Sequence, residues 1–394
     1  MAVRPASRLD GFGTSIFTEI TALAVKHGAA NLGQGFPDFA APAFIKEAAA
    51  RHIDEDRNQY AASAGVPRLR AALAADWQQR HGQAVDPATE VTVASGATEL
   101  LLDAMLGLIN PGDEVIVFEP TYDAYLPDIQ MAGGVARPVA LRLPDWRWDP
   151  DELAAAFTPR TRALILNTPH NPTGKVFSSV ELEALARLCV AHDVVVISDE
   201  VYSQILFDGA RHLPIATLPG MRERTITIDS MGKTFSVTGW KVGWAIAPPP
   251  LTQALRATHQ FVTFTNSTPF QEALADALTA PFTRSAAGSY YDELRAAYAA
   301  RRAQLTQILQ GIGLPPLPIA GAYFLLCDVS RFGFASDLDF CRHLCTEVGV
   351  AAIPISPFYS SPAHAPMLAR FCFAKREQTI QTAGERLARL RSLG

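Results

Sequence analysis

Lys233 stands in Ser230-Met231-Gly232-Lys233-Thr234, a tight small-residue turn between two apolar strand-like runs, and a second cation, Lys241, follows shortly after. A lysine behind a strand is ordinarily a solvated surface group. Burial and neighbouring charge favour its neutral amine, the form that attacks a carbonyl carbon, and small neighbours let a ligand approach. Lys233 is therefore the candidate Schiff-base nucleophile, and Ser230 and Lys241 can hold a phosphate, one by hydrogen bond and one as a point charge. Asp199 ends the run Val194-Val195-Val196-Ile197-Ser198. It is either a turn cap or a carboxylate at the carboxyl end of a strand, where α/β sheets bind ligands. Tyr202, close behind it, brings a phenol to the same place.

Other chemical groups lie at comparable junctions. Asn171-Pro172-Thr173-Gly174-Lys175 is a turn signature in its own right, and it also offers an amide donor. Ser95-Gly96-Ala97-Thr98-Glu99 opens a helical pattern. Ser95 or Thr98 can cap that helix, or Gly96, Ala97 and Thr98 can present free N–H groups at its positive end to a phosphate. Tyr122 follows Glu119-Pro120-Thr121 and can lay its ring on a flat ligand or fill a loop. Arg370 alternates with apolar residues in Leu368-Ala369-Arg370-Phe371-Cys372. It either faces solvent or grips a carboxylate with two parallel hydrogen bonds.

The elements that must position these groups are legible as apolar runs at residues 91–94, 115–118, 163–167, 194–199, 225–229 and 242–247. Helical patterns such as 100–109 and 180–192 lie between them. Apolar strands alternating with helices predict an α/β fold with a mostly parallel central sheet covered on both faces. A helix is expected at 15–27 in an N-terminal arm. After Pro281 come a long charged helix (290–309), a strand (322–328), a helix (336–348), a strand (369–373) and a basic helix. The expected organisation is an arm contributing to the small domain at 1–44, a large ligand-binding domain at 45–280 and a smaller α+β domain at 281–394.

Composition narrows the function. The 394 residues are 48% hydrophobic and 19% charged, ample for a large core, and the net charge of −5 gives no reason to expect nucleic acid or an anionic membrane as a partner. The five cysteines (Cys189, Cys327, Cys341, Cys345, Cys372) are scattered and read as core thiols of a reducing compartment. The first residues lack an apolar leader and no run of eighteen apolar residues occurs, so a cytoplasmic protein without a membrane span is expected. No metal site is expected.

Taken together, the motifs around Asn171, Asp199, Lys233 and Arg370 resemble the class I pyridoxal-phosphate aminotransferases, of fold type I, over nearly the whole chain. Asn31-Leu32-Gly33-Gln34-Gly35-Phe36-Pro37-Asp38-Phe39, Asn58-Gln59-Tyr60, His259-Gln260 and Gly349-Val350-Ala351-Ala352-Ile353-Pro354 resemble the methionine and kynurenine aminotransferase branch. The resemblance implies pyridoxal 5′-phosphate on Lys233, with Asp199 at the ring nitrogen and Asn171 and Tyr202 at the ring oxygen. It also implies a phosphate cup of Gly96, Ala97, Thr98, Ser230 and Lys241, Tyr122 on the ring, and a substrate carboxylate held by Gly35, Arg370 and Asn171.

Tyr60 is implied to reach the phosphate of a neighbouring subunit, in a homodimer with shared active sites. Ile16 and Thr265 fall where animal kynurenine aminotransferases tend to carry tryptophan and histidine. Phe17, Phe36, Tyr122, Phe264 and Tyr359 are expected to supply apolar surface instead. No arginine maps onto the partner that binds a second carboxylate in aspartate aminotransferases. Methionine and other large apolar or aromatic amino acids are thus the implied donors, with a 2-oxo acid as acceptor, in ping-pong transfer. Two alternatives use the same residues: a β-lyase cleaving cysteine conjugates or cystathionine, and, more remotely, a non-catalytic cofactor-binding regulator.

Overall fold

In a computed structural model of the chain, residues 6–284 and 288–392 are described. The strands are β1 (Ala30–Asn31), β2 (Val91–Ala94), β3 (Glu114–Glu119), β4 (Val135–Ala140), β5 (Thr161–Asn167) and β6 (Val195–Asp199). They continue as β7 (Thr225–Ser230), β8 (Gly243–Ile246), β9 (Phe324–Asp328), β10 (Val350–Ala351), β11 (Ile353–Pro354) and β12 (Leu368–Cys372). Seven of them form one sheet in the order β2-β8-β7-β6-β5-β3-β4. Pairing is parallel from β7 to β4, and β8 alone runs against its neighbours.

That topology gathers the chemistry at one edge. The carboxyl ends of β2, β3, β5, β6 and β7 lead into the segments carrying Thr98, Tyr122, Asn171, Tyr202 and Lys233. Because β8 is reversed, its amino end, just after Lys241, lies at the same edge. Ligands bind at such an edge because the loops there converge while the sheet behind them stays rigid.

The strands form where the sequence is continuously apolar, as a sheet covered on both faces requires: β2, β3, β6, β7 and β8 are buried throughout. β4 lies outside the apolar runs of the sequence. It is an edge strand, largely half-buried or exposed, and it carries Pro138 in Val135-Ala136-Arg137-Pro138. Proline is tolerated at an edge because it need not donate to a second neighbour.

Helix boundaries follow local capping chemistry. Ser15 accepts from Thr18 N–H at the start of Ile16–His27, and Gly28 closes that helix at φ 59°. Reciprocal capping boxes, Ser178 with Glu181 and Ser289 with Asp292, open Ser179–Ala191 and Tyr290–Gly311. The expected helix at 336–348 divides into Asp337–His343, capped by Ser336, and a π-helical turn at Leu344–Val348.

A three-stranded antiparallel sheet, β11-β12-β9, carries Arg370 on its central strand. The arm joins the C-terminal elements through parallel pairing of β1 with β10. All five cysteines are free and buried. Among the described residues no helix is long and apolar enough to cross a membrane.

Candidate active site

A cavity of about 380 Å³ opens at the carboxyl edge of the large sheet. Lys233, Asp199, Tyr202 and Asn171 line it, with Gly96, Ala97, Thr98, Ser230 and Lys241 on one side and Gly35, Tyr122 and Arg370 around the rest. Residues from eight separate stretches of chain thus meet in one place.

Lys233 sits not on an irregular turn but on the one-turn helix Met231–Thr234 that follows β7 directly. Its Nζ donates to the Gly35 carbonyl at 3.2 Å and lies 5.6 Å and 5.7 Å from the ring centres of Tyr202 and Tyr323. Burial pushes its pKa down to about 8; Cys372 and Asp199 oppose the shift, and the positive charges of Arg370 and Lys241 add to it. The amine is poised to be neutral far below the range of a solvated lysine.

Asp199 is the last residue of β6 and is 4% exposed. Tyr125 Oη donates to its Oδ2 at 2.8 Å, and the Val201 N–H donates to Oδ1 at 3.3 Å. Burial raises its pKa to about 6, while those donors and Lys233 hold it down. A positive group placed beside it would draw it fully into the ionised form. Asn167 fixes the bottom of the cavity, donating from Nδ2 to the Asp199 carbonyl (2.9 Å) and accepting from Asn171 N–H (2.7 Å). Burial keeps the Tyr122 and Tyr202 phenols protonated, well above their ordinary range.

At the helix Ala97–Leu108, neither Ser95 nor Thr98 acts as the cap. Gly96 occupies that position at φ 85°, and the Ser95 N–H donates to the Glu99 side chain. The first N–H groups of the helix therefore carry no side-chain cap. A Cβ on Gly96 would fall 3.2 Å from Lys241 Nζ, and one on Gly243 would fall 2.5 Å from the Gly96 carbonyl carbon. The cup can close against β8 only because both residues lack side chains.

Arg370, 1% exposed, donates from Nη1 to Asn171 Oδ1 (2.8 Å) and from Nη2 to the Gly33 carbonyl (3.0 Å). Its guanidinium lies 4.0 Å from the Phe324 ring centre and 5.0 Å from that of Phe17, and its Nε is buried without a partner.

Four expected residues lie outside this lining. Ile16 begins its helix between Ser15 and Phe17, which do line the cavity, and it packs on the core. Tyr60 and Phe264 form an edge-on ring pair 5.6 Å apart, 84% and 43% exposed. Tyr359, expected as apolar pocket surface, lies instead against a separate cavity with Glu119 and Trp146. Backbone bonds such as Thr121 N–H to the Phe358 carbonyl turn that segment so that Phe358, not Tyr359, packs toward Phe17. The sequence reading missed Tyr125, Asn167, Tyr323 and Phe324. Only Asn167, at the end of an apolar run, gave a signal there.

A family model for aminotransferase class I and II matches residues 28–387. The chain is similar to methionine aminotransferase of Escherichia coli, 43% identical over 386 residues and 98% of each chain. It is 45% identical over 393 residues, 97% of each chain, to a probable N-succinyldiaminopimelate aminotransferase of Mycobacterium tuberculosis. It is 42% identical over 415 residues, again 97% of each, to human kynurenine–oxoglutarate transaminase 1. The solved Escherichia coli methionine aminotransferase superimposes with a TM-score of 0.93, covering 99% of this chain and 100% of that one.

Proposed function

Because the chain belongs to the class I and II aminotransferases, we propose that it carries pyridoxal 5′-phosphate on Lys233 and moves the amino group of a large apolar or aromatic L-amino acid, methionine foremost, to a 2-oxo acid. The observation that carries this reading is a lysine amine brought down to about pKa 8 inside a cavity shared with a buried carboxylate and a buried guanidinium.

The residues fit the cofactor. The uncapped helix start at Ala97–Leu108, the Gly96 cradle, Ser230 and Lys241 suit a phosphate dianion. Asp199 suits a protonated ring nitrogen, Tyr202 and the Asn171 amide nitrogen suit a ring oxygen, and Tyr122 suits a ring face. When bound, the cofactor supplies a carbonyl that condenses with amines and a conjugated ring that accepts the electron pair left by a departing Cα proton.

The chain's own residues do the rest. Arg370, with Asn171 and the Gly35 N–H, holds the substrate carboxylate and so fixes the Cα–H direction. The neutral Lys233 amine would take the proton from Cα and return it to the carbon that the cofactor's carbonyl supplies, acting as base and then acid at one position. Ionised Asp199, steadied by Tyr125, would keep a protonated ring nitrogen in its charged form. Phe17, Phe36 and Phe324 exclude water on the substrate side. The cationic side chains lining the cavity are Lys233, Lys241 and Arg370. With the first on the cofactor, the second at the phosphate and the third at the α-carboxylate, none is left for an acidic side chain, and this favours an apolar donor.

We further propose a homodimer in which a second copy covers Tyr60, Phe261 and Phe264, 84%, 86% and 43% exposed here, and in which Tyr60 serves the neighbour's phosphate. The division into a large domain at 45–280 and a small one drawn from 1–44 and 281–394 accords with the pairing of β1 with β10.

The test is turnover of methionine with a 2-oxo acid by the pyridoxal-phosphate-loaded protein. Lys233→Ala should bind cofactor without turnover, and near-wild-type transamination by that variant would sink the assignment. Pyruvate and ammonia formed from a cysteine conjugate without added 2-oxo acid would establish the β-lyase instead.

A further inference from the structure

Lys375 is 2% exposed, yet its ammonium enters no ion pair among the described residues. Burying a charge without a counter-charge is unfavourable unless directed hydrogen bonds replace water. Its Nζ donates to the Phe36 carbonyl at 2.9 Å and lies 5.1 Å from the centre of the Phe36 ring. The carboxylate available on that same loop, Asp38, is taken by the Arg376 N–H and the Thr379 hydroxyl. Lys375 is itself fixed at the backbone, where Arg301 Nε donates to its carbonyl at 2.9 Å.

Phe36 closes a short loop in which the Gly33 and Gly35 carbonyls are also held. Gly33 O accepts from Arg370, and Gly35 O accepts from Tyr323 Oη (2.6 Å) and Lys233 Nζ (3.2 Å). A substrate carboxylate arriving at Arg370 competes with the Gly33 contact, and a Lys233 amine engaged in chemistry gives up the Gly35 contact. The Lys375–Phe36 contact involves neither reacting group.

We propose that Lys375 is a positioning residue for substrate capture: it anchors the Gly33–Phe36 loop so that the Gly35 N–H and the Phe36 ring stay in place over the carboxylate and side chain of the amino acid. This rests on the reading of Arg370 and Gly35 as the carboxylate site. The effect falls on binding, because the loop touches substrate and the ammonium touches only the loop.

The experiment uses the pyridoxal-phosphate-loaded protein and two readouts: kcat and KM for methionine, and calorimetric Kd for 4-(methylthio)butanoate, methionine without its amino group. Lys375→Met should raise both KM and Kd by about tenfold or more while kcat stays within about threefold. Lys375→Gln, which can still donate to the Phe36 carbonyl, should lie between, at roughly threefold. A Kd and KM for Lys375→Met within about twofold of wild type, or a loss confined to kcat, would overturn the proposal. If the methionine variant does not fold, Lys375→Ala takes its place, and a Kd within about twofold of wild type in that variant overturns the proposal equally. Arg370→Lys is the control for the parent reading. Wild-type-like binding of the carboxylate by that variant removes the site itself, whatever Lys375 does.

Discussion

Arg370 Nη1 and Asn171 Oδ1 are joined by a 2.8 Å hydrogen bond across the cavity, from β12 of the small sheet to the loop after β5. The bond orients both groups. It consumes the amide oxygen of Asn171, so the amide nitrogen is the atom turned to a ligand, and it sets the plane of the guanidinium between Phe17 and Phe324. Arg370→Lys replaces a planar fork by a point charge that cannot keep the amide contact and grip a carboxylate in parallel. The expected outcome is a fall in kcat/KM for methionine of about a hundredfold, carried mainly by KM. Steady-state kinetics check it, and an unchanged KM would remove Arg370 from the carboxylate site.

Tyr125 donates to Asp199, packs edge-on against Tyr122 and is not itself among the residues lining the cavity. Removing the hydroxyl in Tyr125→Phe takes away a donor that holds the Asp199 pKa down against burial. Less of the carboxylate is then ionised to pair with the ring nitrogen proposed for it. We expect kcat to fall by about tenfold, the scale of one hydrogen bond to a charged group, with KM for the amino acid nearly unchanged. A kcat within about twofold of wild type would mean that the contact only packs the helix Tyr125–Met131.

Much of this constellation could be read from the chain because the chemical residues terminate apolar runs. Asp199 ends β6, Ser230 ends β7, and the Asn171 turn follows β5, so strand recognition located them. Residues whose role depends on distant partners could not be found that way. Tyr125 meets Asp199 across 74 positions, and Tyr323 meets Gly35 across 288; neither pairing leaves a periodic or local trace. Lys375 reads as one more charge at the start of a basic helix, and only tertiary packing buries it. The β4 strand was hidden for the opposite reason. As an edge it needs little apolar sequence, and Pro138 argues locally against it.

The Lys233 amine titrates near 8 rather than in the usual lysine range, chiefly through burial. The depressed pKa means that the neutral form dominates above about pH 8, and that each pH unit below it removes about tenfold of the reactive amine. Uptake of pyridoxal phosphate by the cofactor-free protein should therefore accelerate about tenfold per unit up to pH 8 and level off above it. Stopped-flow absorbance records this directly. A rate still climbing at pH 10 would show that the site does not lower the pKa.

Asp103 lies on the buried face of the helix Ala97–Leu108. It is 0% exposed, and among the described residues neither carboxylate oxygen has a hydrogen-bond partner. Burial and the charge of Glu99 raise its pKa to about 7, against the pull of His259 at 3.7 Å. The sign follows from which state holds the proton. Below about pH 4 the acid is protonated in both the folded and the unfolded chain, and stability is unaffected. Between about pH 4 and 7 the folded state keeps a proton that the unfolded state releases, so stability falls as pH rises. Above about 7 the folded protein carries an uncompensated buried carboxylate and the loss is complete. Asp103→Asn, of the same shape without the charge, should change thermal stability little at pH 4.5, where the loss has only begun, and raise it clearly at pH 8. The expected gain is about 1–3 kcal/mol, a few degrees in Tm. Calorimetry at the two pH values decides it: a gain of equal size at both would assign the effect to hydrogen bonding, and a loss at pH 8 would show that Asp103 is ionised and usefully paired with His259.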